Sequence, residues 1–197
     1  MSEHSEISHP TQTELLLRYL QREREHLIGT LDGLSDYDVR RPMTPTGTSL
    51  LGLVKHVATV EIGYFGECLG RPWPGTIPWD NEAAFEAGED MYALADDSRE
   101  MLLDLYRRSW VFADQNIREL GLDAPATVPW WPPERRETTL GYLLVHMLDE
   151  TAHHAGHADI IRETVDGRGG RDHDQVGDDE HWTAFVAKIQ AAADAHR

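Results

Sequence analysis

The sequence predicts an all-α protein: a four-helix bundle with long crossover loops and a short C-terminal helix. Two observations carry this. Four long segments place apolar residues at three- and four-residue spacing, the repeat of one helical face. No segment alternates apolar and polar residues with period two, so no strand is expected. Proline-rich connections separate the middle segments, and long connections of this kind suit a bundle with crossovers. A length of 197 residues is enough for one domain. Its expected division is a flexible leader over 1–10, the bundle over 11–166, and an acidic loop with a C-terminal helix over 167–197.

The first helix is expected from Thr11 to Leu34, with Leu16, Tyr19, Leu20, Leu27 and Leu31 in its stripe and Gly33 closing it. Residues 35–48 hold Pro42, Pro45 and Gly47 and read as a connection. Thr48 or Ser49 caps a second helix that runs through Leu69, with Leu53, Val57, Val60 and Tyr64 on one side. Three prolines between Arg71 and Trp79 forbid a helix interior there. The third helix spans Ser98 to Leu120, and Glu82–Ala95 before it is also compatible with helix. Residues 121–136, with prolines at 125, 129, 132 and 133, form a loop. Thr138 or Thr139 opens the fourth helix, which ends near Val165 before Asp166-Gly167. A Gly/Asp-rich loop over 168–180 leads to a last helix, His181–Ala195, with Trp182, Phe185, Val186 and Ile189 at helical spacing.

Eighteen Lys and Arg against 35 Asp and Glu give a net charge of −17. Such a chain repels phosphate backbones and anionic lipid, so neither nucleic acid nor membrane is an expected partner. No run approaches the ~18 apolar residues of a membrane span. The polar, acidic N-terminal stretch does not resemble a secretory or transit peptide. Cys68 is the sole cysteine, which excludes a disulfide framework and an all-cysteine metal cage. The expectation is a cytoplasmic protein.

The chemistry is concentrated on the fourth helix, in HMLDETAHHAGH. With Glu150 at zero on the helical wheel, His154 falls at about +40°, His157 at about −20°, His146 at about −40° and His153 at about −60°. Leu143 and Ile161 lie near +20°, which places a carboxylate and several imidazoles on the stripe expected to face the core. A buried carboxylate needs a strong partner, and imidazoles with a cation supply one. Glu150 and His154 stand one turn apart, so both can reach a single ion. His56, on the same face as Leu53 and Val60, offers a third ligand from the second helix. Bundles build metal sites in this way, from inward-pointing Glu and His on facing helices.

Other motifs fall away. The stretch from Asp172 begins like a calcium loop, but position five is Val176, which offers no oxygen, and position twelve is Thr183, where a bidentate Glu is needed. The GRGG at 167–170 lacks the strand and the GK[ST] ending of a phosphate loop. No G-x-S-x-G is present. Cys68 sits on an apolar face and reads as packing. Trp73, Trp79, Trp130 and Trp131 lie in the crossover loops, where they either cap the bundle or wall a pocket. Arg71, Arg135 and Arg136 flank those loops, either solvated or available to a carboxylate on a substrate.

The segments LLGLVKHVATVEIGYFGECLG and LGYLLVHMLDETAHHAGHADIIRETVDG together resemble the DinB-like superfamily. The likeness is closest to its actinobacterial branch of four-helix proteins, related to the metal-binding domain of mycothiol-dependent maleylpyruvate isomerase, and it spans about residues 11–166. The resemblance implies a metal triad of one histidine from the second helix and two residues one turn apart on the fourth: His56, Glu150 and His154. His157, His146, Glu61 and Asp159 also match residues of the branch. Thirty residues follow Gly167, too few for the isomerase's second α/β domain, so that specific activity is not expected.

Three protein ligands leave a coordination position open, which favours catalysis. The resemblance implies a divalent ion, zinc first, with nickel, iron or manganese as alternatives. It also implies a low-molecular-weight, mycothiol-type thiol as co-substrate. The expected reaction is S-transfer to an electrophilic small molecule through a metal-bound thiolate, with His157 or His146 as the catalytic residue that moves the proton. Two alternatives stay open: hydrolysis by a metal-bound water with His157 as base, and a non-catalytic, stress-associated metal-binding protein. Related bundles often pair, so a homodimer is expected by resemblance.

Overall fold

The computed structural model describes residues 9–197, so most of the leader expected over 1–10 lies outside the described residues. Helix α1, Gln12–Gly29, opens with a reciprocal cap. The Thr11 hydroxyl accepts the Glu14 N–H at 3.2 Å, and the Glu14 carboxylate accepts the Thr11 N–H at 2.7 Å. The helix stops five residues before the expected Leu34, and Gly33 (φ 75°) lies in the turn beyond it. A short helix α2, Asp36–Arg40, occupies the connection. Helix α3, Leu50–Phe65, is capped by Ser49 and gives way to a 3₁₀ turn at Glu67–Leu69 rather than continuing to Leu69. The next crossover contains helix α4, Glu82–Glu86, and a 3₁₀ turn, Glu89–Met91. Helix α5, Arg99–Leu120, begins one residue after the expected start, with Ser98 as its cap. Helix α6, Leu140–Asp166, starts at Thr139 and ends at Gly167 (φ 79°). Helices α7, His173–Val176, and α8, Asp179–Asp194, complete the chain.

One expectation fails in the 121–136 loop. Strands β1, Pro125–Thr127, and β2, Glu137–Thr139, pair antiparallel with Ala126 opposite Thr138. Three residues a side are too few to register as period-two alternation, and the pairing arises because the prolines between them turn the chain back on itself. The hairpin delivers Thr139 directly to the start of α6.

The long helices form a square in which α3 packs on α5 and α6, and α1 on α6 and, more lightly, α5. Helices α1 and α3 therefore face each other across the diagonal. They meet there through Arg24 and Glu61, both fully buried, whose guanidinium and carboxylate form two bonds of 2.8 and 3.1 Å. The hydrophobic core includes Leu20, Leu27, Leu53, Val57, Leu102, Tyr106, Leu143 and Met147. Each aliphatic side chain so buried contributes roughly 1.5–3 kcal/mol. Every residue of α3 is buried except His56, Val60 and Gly63.

The first crossover is pinned onto α3. Gly52 permits the approach, because a Cβ there would lie 2.3 Å from the carbonyl oxygen of Met91. The buried Lys55 ammonium donates to the Asp97 carboxylate at 2.8 Å and to the Tyr92 carbonyl at 3.1 Å, and lies 3.9 Å from the centre of the Trp79 ring. The Trp79 indole donates to Thr59 Oγ1 at 2.9 Å. These bonds bring the 89–91 turn against the first turns of α3. On α8 the apolar stripe forms as expected, but Phe185, Val186 and Ile189 stay exposed.

Candidate metal centre

His56 on α3 and Glu150 and His154 on α6 converge across the seam between those helices. One ligand atom from each lies within 4.8 Å of the others. Both imidazole Nε2 atoms point at the same carboxylate oxygen, Glu150 Oε1, at 3.4 Å from His56 and 3.0 Å from His154. The two rings stand edge to face at 5.0 Å. Glu150 keeps 31% of its side-chain exposure, so the cluster opens to solvent on one side. The buried residues of α6, among them Met147, Thr151 and Ala158, centre about 80° from Glu150 on the wheel. The carboxylate thus borders the core stripe instead of occupying its middle, which leaves room for a ligand.

Asp90, on the 3₁₀ turn of the crossover, was invisible to the spacing argument and completes the arrangement. Its Oδ2 lies 2.8 Å from His56 Nδ1. A carboxylate accepts only, so His56 donates from Nδ1 and its Nε2 lone pair is directed at the cluster, the tautomer that a metal ligand requires. The Glu150 carboxylate, 3.4 Å from that Nε2, can only accept, so this contact is a hydrogen bond when the imidazole is doubly protonated. Burial alone lowers the basicity of His56, but the Glu150 and Asp90 carboxylates more than reverse this and raise its pKa. Hydrogen bonds from His154 and then His56 hold the Glu150 carboxyl well below the usual range. Two neutralisable imidazoles and an ionised carboxylate, converging with one side open, fit a divalent transition metal. His154 lacks a counterpart to Asp90: its Nδ1 is buried with no partner among the described residues.

The structure places the other candidates apart from this triad. His146 Nε2 is hydrogen-bonded to the Tyr64 hydroxyl at 3.1 Å, and the Trp131 indole donates to the same oxygen at 3.2 Å. His157 is exposed, its ring 5.7 Å from that of His154 and 4.6 Å from that of His153. Partial desolvation, reinforced by His153 and His154, lowers its pKa, which favours the neutral, proton-accepting form. Glu61 belongs to the core ion pair, and Asp159 bonds His26 Nε2 at 2.7 Å. The three arginines brace the loops. Arg71 pairs with Glu119 and Asn116, Arg135 lies over the Trp131 ring, and Arg136 donates to the Trp131 carbonyl. Trp79 is core, whereas Trp130 and Trp131 pack on Tyr64 beside the α3–α6 seam. Cys68 is buried, and its pKa is pushed up to about 12 by burial and then by Glu67.

Fold and site together define a four-helix bundle with a candidate divalent-metal site built from facing helices, and the family that the chain matches puts it in the DinB-like superfamily. Within that superfamily, the chain belongs to the mycothiol-S-transferase family, which it matches over residues 15–167. Among solved structures, it is similar to a conserved protein from Enterococcus faecalis, with 20% identity and a TM-score of 0.54 over 81% of this chain and 99% of that one. At that identity the likeness concerns the fold alone. No curated protein matches the sequence. No described helix is long and apolar enough to cross a membrane.

Proposed function

We propose that the protein is a metal-dependent S-transferase that joins a low-molecular-weight thiol of the mycothiol type to an electrophilic small molecule. The observation that carries this is the convergence of His56, Glu150 and His154 on one open-sided position in a chain of the mycothiol-S-transferase family. The proposed ion is zinc, which suits two imidazoles and a carboxylate with one position left open. Such an ion lowers the pKa of a thiol brought to that position.

The side chains have separate tasks in this reading. Asp90 holds His56 in the Nδ1–H tautomer. Glu150 supplies the negative charge that offsets the cation. His157, neutral and exposed beside His154, takes the thiol proton and returns it to the leaving group or, in an addition, to the acceptor. The sulfur forms a bond to the electrophilic carbon as the leaving group departs with its electron pair. His146, held by Tyr64, orients the bound molecule along the α3–α6 seam.

The test begins with protein prepared without a histidine tag, beside Glu150→Ala and His154→Ala. About one equivalent of divalent metal in the parent, its loss in both variants, and thioether formation from mycothiol and a fluorogenic alkyl halide in the parent alone are the expected results. A folded parent that carries no metal, or variants that transfer as fast as the parent, overturns the proposal.

A further inference from the structure

Helix α3 is sealed except along one strip, His56, Val60 and Gly63. Val60 and Gly63 lie within about 40° of His56 on the wheel and about 6 and 10 Å along the axis from it. The strip therefore runs from the metal ligand toward the C-terminal end of α3. Over its far part opens a cavity of about 780 Å³, of a size that encloses a drug-sized molecule. Its walls are apolar and aromatic: Val60 and Gly63 on the floor, Trp73, Ile77 and Phe85 from the crossover, and Trp130 from the hairpin loop. A Cβ at Gly63 would stand in van der Waals contact with the Trp130 indole at 3.4 Å, so a side chain longer than alanine there would enter the space beneath it.

The rim has a single sign. Glu67, Asp80, Glu82 and Glu86 line the cavity, and no Lys, Arg or His does. None of the four carboxylates has a salt-bridge partner among the described residues. Arg108 reaches the Trp73 ring from outside, but it is paired with Asp104. Aromatic faces beside unpaired carboxylates attract cations and repel anions.

We infer that this cavity binds a flat apolar molecule bearing a cationic group, held one to two helical turns from the metal position, and rejects carboxylate-bearing analogues. Its occupant is the electrophile of the transfer, and that identity rests on the S-transferase reading. The binding itself does not depend on it.

Three matched, unreactive probes separate the two claims: 1-naphthylmethylammonium, 1-naphthalenemethanol and 1-naphthoate. Each is titrated into the metal-loaded protein, without thiol, by ligand-observed NMR at low and high salt. The ammonium probe binds on the order of tenfold more tightly than the alcohol at low salt, the carboxylate binds weakest, and the difference shrinks as salt screens the rim. Gly63→Leu, which fills the floor, removes binding while metal content and circular dichroism are kept. Glu82→Lys with Glu86→Lys, both exposed on α4, inverts the order of the charged probes. Equal binding of all three probes, or undiminished binding in a folded Gly63→Leu protein, overturns the inference. Cation-selective binding in a protein that transfers no thiol supports the cavity and counts against the transferase reading.

Discussion

Asp90 is the most informative residue to perturb, because it touches the metal position only through His56. Its side chain is 11% exposed, and its bond to His56 Nδ1 is 2.8 Å long and charge-assisted. Removing it in Asp90→Ala frees His56 to rotate and to adopt the tautomer with the proton on Nε2, which cannot ligate through the nitrogen that faces the cluster. Loss of such a supporting partner costs about 10–100-fold in metal affinity. That corresponds to roughly 1.4–2.8 kcal/mol at 1.4 kcal/mol per tenfold. Asp90→Asn keeps a neutral acceptor within reach of Nδ1 and should fall near the tenfold end. The assay is a competition titration against a chelator of known affinity, at a pH where His56 is largely unprotonated in all variants. His154, whose Nδ1 has no comparable partner, supplies no second route by which Asp90 could act. Unchanged affinity in Asp90→Ala would refute the reasoning, as would a loss as complete as that of His154→Ala.

The remaining predictions concern the scaffold. Arg24→Met leaves Glu61 buried without its partner and should destabilise the protein by about 3–5 kcal/mol in urea unfolding. Arg24→Met with Glu61→Leu should recover most of that loss, because no charge is then stranded, although Asp114 also loses its bond to Arg24. If the double variant proves as unstable as the single one, the ion pair contributes more than mutual compensation. Cys68, with its thiol pushed up to about 12, should react with a disulfide reagent at pH 8 roughly a thousandfold more slowly than a free cysteine. Its rate should climb with pH well past 9, as more of the thiol ionises. A fast reaction that levels near pH 9 would show that the side chain is accessible.

The four long helices were legible because each carries its own apolar repeat, and the second and fourth open at capping hydroxyls, Ser49 and Thr139, that stand just before the repeat begins. Glu150 and His154 were legible as a pair for the same reason, since one helical turn fixes their separation. The end of α1 was misplaced because Gly33 marks the turn after the helix rather than its last residue. The hairpin was missed because its strands are shorter than any period can reveal. On α6 the polar residues were centred on the core stripe, whereas the structure turns them to its edge. The true centre depends on how α1 and α3 pack against α6, which no single helix encodes.

By itself, then, the sequence determined what local physics determines: helical periods, capping hydroxyls, an acidic surface, and a carboxylate one turn from an imidazole. Tertiary structure decided what depends on residues distant along the chain. It brought Asp90 to His56 across 34 positions, past a Gly52 that leaves space for the Met91 carbonyl. It buried Arg24 against Glu61 and left Val60 and Gly63 open beneath Trp130. In a chain of 35 acidic residues, nothing in the spacing distinguishes Asp90 from the rest. It becomes distinct only when packing excludes water from its bond to the imidazole.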